Sequence, residues 1–580
     1  MKRMKKILAM VMAMAMVLGM SLTTFAAPAE TTPISKPEAG QSAAVKITGS
    51  TIKEDKVSFK VYQLIEPDFD TNKGFVGYKW LGTYTNGKSG MVSYDNAGNV
   101  NDLTAENVTT WAAAAPRTEE HNATVSWNQD GTVASITLEV GTWMILAQSI
   151  DDAAVVYNPM VASVYYVSQT SVGTDGVSAD TTWNIATTDA YEKSTDMSNQ
   201  EDKQVGELGA EGQISQANAY AQVGNSIPYV LKGLVPSYSL EYFTGNMAGS
   251  TTTRTVTYKL NDTIANGLQY NNDIKVYVGN TNNPIENKAT DVKYSIAWLD
   301  ENGNEITGAD AYKTAKAFSV TLTSSYVQSL AGEGDVNRRV YVTYTANVTA
   351  DAVSQVAENK FDVSYTRVPG EPAVDTTEKT VYSYTAAISG TFQKVDENDN
   401  ALAGATFTLY SDSELKSVIG TATTVAGDAN LIFKDSDNNV VGLEFEKTYY
   451  IKETASPNGY SINETVYEVK CSYAGNKGTF VKDDASGVDK LTAYTVSIKN
   501  PNVVDNPETT DIDESVKEIV VNYGGSATVL NGVEKVINTK LNSLPSTGGI
   551  GTTIFTLGGC AIMIIAAGLY FASRRKKNEE

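Results

Sequence analysis

Strand-like alternation in two segments of the chain points a lysine and a glutamate toward an apolar interior. Lys394 shares the parity of Phe392, and Glu453 shares the parity of Tyr449 and Ile451. Because successive side chains of a strand face opposite sides of a sheet, both charged groups follow their apolar neighbours inward. A buried amine and a buried carboxylate are costly unless they meet. The alternative is that both lie at strand ends and reach solvent.

An acid and an amide are placed in the same way earlier in the chain. Asp262 interrupts an alternating apolar face within residues 256–264, and Asn359 heads a face that Phe361 continues. A lysine candidate, Lys203, lies on the presumed first strand of this segment, where the pattern is too weak to fix its direction. A lysine, an acid and an asparagine that converge in one apolar site would combine a nucleophile, a proton carrier and an acyl group.

A third group of residues that could take part in a reaction lies near the C-terminus. The motif comprises Leu544, Pro545, Ser546, Thr547 and Gly548. An apolar run at 550–573 follows, long enough to span a bilayer, and a basic cluster begins the tail at 574–580, so the sequence predicts a transmembrane segment and a cytoplasmic tail. An anchor alone does not need the motif at 544–548. That motif resembles the cell-wall sorting signal of Gram-positive surface proteins, which sortase cuts between Thr and Gly.

The N-terminus predicts export. Four cations within residues 1–6 precede an apolar stretch at 7–20, and Ala26 ends a small-x-small cleavage site. This is the pattern of a secretory signal peptide at 1–26. Processing at both ends would leave residues 27–547, which is room for three or four domains.

Composition excludes several classes of function. The formal net charge is −22, which disfavours a nucleic-acid partner. Of two cysteines, Cys560 lies in the predicted anchor, so Cys471 is the one thiol of the processed chain and no internal disulfide is expected. His121 is the one histidine, which excludes catalytic triads and multi-histidine metal sites that need this residue. We expect no metal and no cofactor.

The elements that would position these residues are strands. Sustained helical periodicity is absent from the processed sequence, whereas period-two alternation bounded by Gly, Asn, Asp and Pro recurs throughout. The sequence therefore predicts an all-β protein of tandem immunoglobulin-like β-sandwich domains. Composition shifts divide the chain into a leader at 27–43 and three modules at 44–195, 200–375 and 385–540.

Two segments carry a family resemblance. Residues 450–460 read Tyr-Ile-Lys-Glu-Thr-Ala-Ser-Pro-Asn-Gly-Tyr, which resembles the E-box of sortase-assembled pilins, and the third module resembles the B-type domain of collagen-binding adhesins. Residues 260–264, followed by Gly267 and Leu268, resemble the matching segment of the A-type domain. The resemblance covers nearly the whole processed chain, and it is strongest at the E-box and the sorting signal.

The resemblance implies a self-generated isopeptide bond between Lys and Asn in each such domain. It pairs Lys203 with Asn359 under Asp262, and Lys394 with an asparagine under Glu453. Burial lowers the pKa of a lysine and raises that of an acid, so the amine can be a neutral nucleophile beside a protonated acid. The acid would polarise the carboxamide and pass a proton to the departing ammonia, with no cofactor.

Two asparagines compete for the third-module bond. Asn538 lies just ahead of the sorting signal, as in family members, and is preferred because a bond near the exit of the chain keeps the pulling line short. Asn500 has the cleaner inward parity after Ile498. The sequence leaves open whether the first module has a bond of its own.

Family pilins present the lysine that accepts the next subunit in a Trp-x-x-x-Val-x-Val-Tyr-Pro-Lys segment. Residues 183–193 match at Trp183, Tyr191 and Lys193, with one extra residue before the tyrosine and Glu192 in place of proline. The resemblance implies that Lys193 is the acceptor. The alternative is an ordinary solvated linker lysine.

Together these features imply a structural protein rather than an enzyme. The expected function is that of a major pilin of a Gram-positive fimbria, secreted and cell-wall anchored, with a precursor that passes through the cytoplasmic membrane. Its expected partners are sortase, identical subunits and peptidoglycan, with ancillary pilins and host receptors as further candidates. The alternative is an ancillary pilin or a monomeric wall-anchored adhesin whose first module binds host matrix or glycans.

Overall fold

A computed structural model of the chain describes most of the region between the predicted processing sites, and its strands confirm the all-β prediction. The described residues are 31–81, 91–92, 124–150, 154–172, 179–209, 218–238, 255–353, 355–368, 371–388, 390–483, 487–504, 513, 515–523, 533–541 and 551–576. They fall into two compact units, the first within 1–386 with 442–444 and 480–492, and the second within 387–441, 445–479 and 493–580. The predicted signal peptide, His121 and the motif at 544–548 lie outside the described residues.

The first part of unit one is built from two main sheets. Its strands are β1 (Thr31–Ile34), β2 (Ser42–Thr48), β3 (Val57–Asp70), β4 (Gly74–Trp80), β5 (Met91–Val92), β6 (Thr124–Trp127), β7 (Val133–Glu139), β8 (Gly141–Ser149), β9 (Val155–Tyr157), β10 (Met160–Val172), β11 (Ala179–Thr187), β12 (Ala190–Tyr191) and β13 (Ser194–Asp196). The sheet orders are β1-β11-β10-β8-β3-β4-β5 and β12-β2-β7-β6, with β9 and β13 as a separate pair. Buried residues of both sheets, among them Ile47, Val61 and Ile136, share one core.

The second part of unit one has its own core and two facing sheets. Its elements are β14 (Asp202–Val205), β15 (Asn218–Tyr220), β16 (Ser226–Leu234), β17 (Tyr258–Ile264), β18 (Leu268–Tyr270), β19 (Lys275–Val278), β20 (Tyr294–Leu299), β21 (Glu305–Ile306), β22 (Ala317–Leu322), α1 (Ser324–Ser329), α2 (Asp335–Arg338), β23 (Arg339–Val348), β24 (Ala357–Tyr365), β25 (Val374–Asp375) and β26 (Lys379–Tyr384), with 3₁₀ turns at Ala311–Lys313 and Ala350–Val353. One sheet has the order β14-β16-β23-β18 and the other β15-β26-β24-β17-β22-β20-β21. β26 carries this sheet past residue 375, where the sequence places the end of the module.

The chain after residue 386 contains a short parallel pair and a larger sheet. Its elements are β27 (Phe392–Val395), β28 (Thr406–Tyr410), β29 (Val418–Thr423), β30 (Thr448–Ala455), β31 (Val466–Ser472), β32 (Gly478–Lys482), β33 (Asp489–Lys499), β34 (Val516–Asn522), β35 (Glu534–Ile537) and α3 (Gly551–Lys576). β27 pairs with β35 in parallel, and the larger sheet has the order β29-β28-β30-β31-β33-β32 with β34 beside β33. Several of these strands alternate between buried and exposed side chains, which is the pattern of a sheet with one face on a core.

The helix α3 covers most of the segment predicted to cross a membrane. Within the described part of the chain, no helix has both the length and the apolar character of a membrane-crossing segment. The transmembrane assignment of 550–573 therefore stays a prediction.

Candidate functional site

The two sheets of the second module meet around Lys203, Asp262 and Asn359. Lys203 lies on β14 in one sheet, whereas Asp262 and Asn359 lie on the paired strands β17 and β24 in the other. Asp262 and Asn359 are fully buried, and Lys203 is 3% exposed. The apolar alternation of β17 sends Asp262 inward with Leu260 and Ile264, which is what parity predicts.

The lysine amine contacts both of its expected partners. Lys203 Nζ donates to Asp262 Oδ2 and to the carboxamide oxygen Oδ1 of Asn359. It also lies 3.1 Å from the carbonyl oxygen of Lys360. The nucleophile therefore contacts both the acid and the acyl group in a site closed to solvent, which is the proximity that an intramolecular acyl transfer requires.

Buried tyrosines complete this site, and sequence reasoning missed them. The Tyr270 hydroxyl donates to Asp262 Oδ1 at 2.9 Å. The Tyr344 hydroxyl lies 2.9 Å from each carboxylate oxygen of Asp262 and accepts a hydrogen bond from Asn359 Nδ2 at 2.8 Å. Tyr344 shares the buried parity of Val342 on β23, so the alternation of that strand was the available signal.

Burial moves the charges of this site toward neutrality. It lowers the pKa of Lys203 to about 8, although the nearby Asp262 acts in the opposite direction. It also raises the pKa of Asp262, against the effect of the Lys203 ammonium. Both shifts favour the neutral amine and the neutral acid, which are the forms that a nucleophilic attack needs.

The third module brings Lys394, Glu453 and Asn538 into one buried site. Lys394 lies on β27, Glu453 lies on β30, and Asn538 directly follows β35, the parallel partner of β27. None of the three is more than 1% exposed. Lys394 and Glu453 are therefore buried, whereas the alternative places them at strand ends where they reach solvent.

The contacts in this site differ from those in the second module. Asn538 Nδ2 donates directly to Glu453 Oε1 at 2.7 Å, and the backbone N–H of Asn463 donates to Glu453 Oε2 at 2.7 Å. Lys394 Nζ donates to the carbonyl oxygen of Val536 at 2.8 Å. Burial lowers the pKa of Lys394 to about 8, with the charge of Glu453 acting in the opposite direction.

The structure places the two competing asparagines differently. Asn538 Oδ1 is buried and has no hydrogen-bond partner among the described residues. Asn500 follows the end of β33, is partly exposed, and donates to Glu534 Oε1 at 3.3 Å. Asn538 thus lies with Glu453 whereas Asn500 does not.

The acceptor candidate Lys193 lies between β12 and β13. Its carbonyl oxygen accepts a hydrogen bond from the backbone N–H of Asn158 at 2.9 Å, and the residue is half-buried. Burial lowers the pKa of its amine, which favours the nucleophilic form. The backbone of this segment is therefore hydrogen-bonded to the residue that directly follows β9.

Glu192, which replaces the proline of the family motif, ties this segment to a second loop. Its carboxylate accepts hydrogen bonds from the backbone N–H of Thr51 at 2.9 Å and from the Thr51 hydroxyl at 2.6 Å. It also accepts from the Ser194 hydroxyl. The side chain lies over Gly49, where a Cβ atom would overlap it. We call Glu192, Thr51 and Ser194 the Glu192 clamp.

Among the residues that the structure describes, no group of three or more His, Cys, Asp or Glu side chains is arranged to hold a metal ion. Cys471 is buried as a free thiol, and burial raises its pKa, so it is protonated and unreactive.

Two family models match the chain. The SpaA model, a prealbumin-like fold domain, matches residues 389–486, and the LPXTG cell wall anchor motif matches residues 537–580. These matches cover the E-box module and the sorting signal, and with the relative described next they confirm the resemblance to sortase-assembled pilins. They also identify the chain as a cell-wall-anchored surface protein.

The chain is also similar to individual proteins. The trypsin-resistant surface T6 protein of Streptococcus pyogenes is 27% identical over 372 residues, which are 59% of this chain and 65% of that protein. The chain thus spans about 65% of the length of this relative. Among solved structures, the T6 backbone pilin of serotype M6 Streptococcus pyogenes aligns with 87% of this chain and 100% of its own, at 18% identity and a TM-score of 0.46. The major pilin SpaD of Corynebacterium diphtheriae covers 87% of this chain and 99% of its own, at 15% identity and a TM-score of 0.40.

Proposed function

We propose that this chain is the major structural pilin of a Gram-positive fimbria. Sortase joins the Thr547 carbonyl of one subunit to the Lys193 amine of the next, and the completed polymer is attached to peptidoglycan and supports adhesion. The observation that carries the proposal is the anchor match at 537–580, which begins at the end of a module with a buried lysine, glutamate and asparagine.

The polymer joint follows from acyl transfer. A sortase thiolate attacks the Thr547 carbonyl, Gly548 and the residues after it leave, and the acyl-enzyme awaits an amine. If the amine is Lys193 of another copy, the linkage is heterologous and does not close on itself, so it propagates into a fibre. The half-buried position of Lys193 and the lowered pKa of its amine support this role.

The proposal includes two internal isopeptide bonds, Lys203 to Asn359 and Lys394 to Asn538. Each forms when the neutral amine attacks the carboxamide carbon and ammonia departs. In the chain-entropy description, a cross-link between residues so far apart in the sequence stabilises the fold by roughly 5 kcal/mol. It also routes a pulling force through covalent bonds, so the strands between the linked residues do not unravel, which suits a fibre under tension.

One observation favours a second function. The acceptor motif departs from the family pattern at Glu192, and an ancillary pilin or a monomeric wall-anchored adhesin needs no working acceptor lysine. In that case the first module binds host matrix or glycans, and Thr547 is joined to peptidoglycan alone.

Immunoblots of wall extracts distinguish the two functions. The native chain should give a high-mass ladder that collapses to a single band in Lys193→Ala, since the acceptor amine is lost. The matched control is Lys73→Ala, an exposed lysine of the same module, which should leave the ladder intact. A single band from the native chain would favour the adhesin.

A further inference from the structure

The two candidate sites differ in what touches the leaving nitrogen. In the third module, Asn538 Nδ2 contacts the acid Glu453 directly at 2.7 Å. In the second module, Asn359 Nδ2 contacts the hydroxyl of Tyr344 at 2.8 Å, and it is Tyr344 that contacts the acid Asp262. The carboxamide oxygen of Asn359 accepts a hydrogen bond from the Lys203 amine instead. The acid of the second module is therefore separated from the leaving group by one hydroxyl.

We propose that Tyr344 is a catalytic residue of the second module, which carries a proton from Asp262 to the departing amide nitrogen of Asn359. This inference rests on the proposed isopeptide bond between Lys203 and Asn359. A hydroxyl is suited to the task because it can accept one proton while it donates another. Tyr344 lies within 3.3 Å of Lys203 Nζ as well, so it touches the nucleophile, the acid and the leaving group.

The protons balance along this route. One of the three protons on Lys203 Nζ passes to Asp262 and leaves the amine neutral. The amine attacks Cγ of Asn359, the Nζ–Cγ bond forms, and the Cγ–Nδ2 bond breaks as Nδ2 takes a proton from the Tyr344 hydroxyl. Asp262 gives its proton to Tyr344 and takes another from Nζ. The products are an amide, free ammonia and a neutral Asp262.

The packing around Tyr344 keeps its hydroxyl in place and protonated at the start. Its ring stacks on Tyr229 with centroids 5.2 Å apart and meets Phe318 edge-on at 5.0 Å. The side chain is buried, and burial raises its pKa well above the usual value, with the charge of Asp262 acting in the same direction. A tyrosine held in this way acts as a neutral relay rather than as a phenolate.

Tyr270 provides a matched control. Its hydroxyl also donates to Asp262 at 2.9 Å, but its hydrogen bonds do not include Asn359. Tyr344→Phe and Tyr270→Phe each remove one hydroxyl from the same acid and keep the buried ring. They differ in whether the lost hydroxyl touches the leaving nitrogen.

The experiment starts from residues 27–547 recovered unfolded and without the cross-link, in a Glu453→Ala background so that only the second-module bond releases ammonia, and follows bond formation by intact mass during the first folding. Tyr344→Phe should slow formation by about 100-fold or more, the usual effect of losing a general acid, and Tyr270→Phe should slow it far less. The deficit in the rate of bond formation of Tyr344→Phe, relative to the chain that keeps Tyr344, should grow as pH rises from 6 to 9, because the missing proton must come from solvent. Equal slowing in both variants, or a deficit that is the same at every pH, would overturn the relay.

Two further results keep the test decisive. If the unsubstituted chain releases no ammonia, the isopeptide proposal itself fails, whereas a native rate in Tyr344→Phe sinks the relay alone. If Tyr344→Phe does not fold, the wild-type rate is measured in mixtures of H₂O and D₂O. A curved dependence on the D₂O fraction is expected for two protons in flight, and a linear or flat one contradicts the relay.

Discussion

At the residue scale, Asn538 is the proposed acyl group of the third module, and its amide nitrogen contacts Glu453. Replacing Asn538 by Ala removes the acyl group, so the processed chain should release one ammonia, from the second module, instead of two. Asn500→Ala is the matched control, and it should still release two because the Asn500 amide contacts Glu534 rather than Glu453. Intact mass spectrometry gives the count. If Asn500→Ala releases one ammonia and Asn538→Ala releases two, the third-module bond involves Asn500 instead of Asn538.

A pH dependence follows from the lysine of the same site. The pKa of Lys394 is lowered to about 8, so most of its amine is neutral above that pH and protonated below it. The rate of bond formation should therefore fall as pH decreases below about 8, approaching tenfold per pH unit, since the neutral fraction falls in that proportion. The measurement is mass loss during the first folding of an uncross-linked chain at several pH values in an Asp262→Ala background. A rate that is constant from pH 5 to 8 would contradict nucleophilic attack by this amine.

Individual residues also show what could be predicted from the sequence and what could not. Asp262, Asn359, Lys394 and Glu453 could be placed inward because each interrupts an apolar alternation, and all four are buried. Asn500 shares the parity of Ile498, but β33 ends at Lys499, so the alternation of that strand does not extend to Asn500. Tyr344 needed three-dimensional information, since parity places it in a core but not beside a particular amide.

At the element scale, the Glu192 clamp fixes the segment that presents Lys193. Glu192→Ala would leave the backbone N–H and hydroxyl of Thr51 without this partner, at a cost of about 1–3 kcal/mol for each polar group that stays buried. We expect faster hydrogen exchange of the Thr51 amide and a weaker wall-extract ladder. Glu54→Ala, an exposed acid on the same loop, is the control and should change neither. Unchanged exchange at Thr51 in Glu192→Ala would show that the clamp does not hold this segment.

Elements of the second and third modules place their reactive residues by different routes. In the second module, the bond would join facing sheets, with Lys203 on β14 and Asn359 on β24. In the third module, it would join neighbouring parallel strands, with Lys394 opposite Val536 in the register of β27 and β35. Alternation predicts which face a residue takes, whereas strand order depends on long-range pairing that a single sequence does not specify. This is why the pairing of β27 with β35 could not be predicted.

At the scale of the whole molecule, the proposed internal bonds and the sorting motif would serve one purpose. Within each of the second and third modules, a covalent bond would carry load between distant parts of the chain, and the joint from Thr547 to Lys193 would carry it from subunit to subunit. Weak noncovalent contacts would otherwise limit the strength of such a fibre. The anchor match and the resemblance to sortase-assembled pilins support this arrangement.

The most direct test is to identify the peptide that contains the joint. Wall material is digested with a protease, and the fragments are sequenced by tandem mass spectrometry. The account predicts a branched peptide in which the carbonyl of Thr547 is bonded to the ε-amine of Lys193. If Thr547 is recovered bonded to peptidoglycan amines alone, with Lys193 unmodified throughout, the chain is not a polymer-forming pilin.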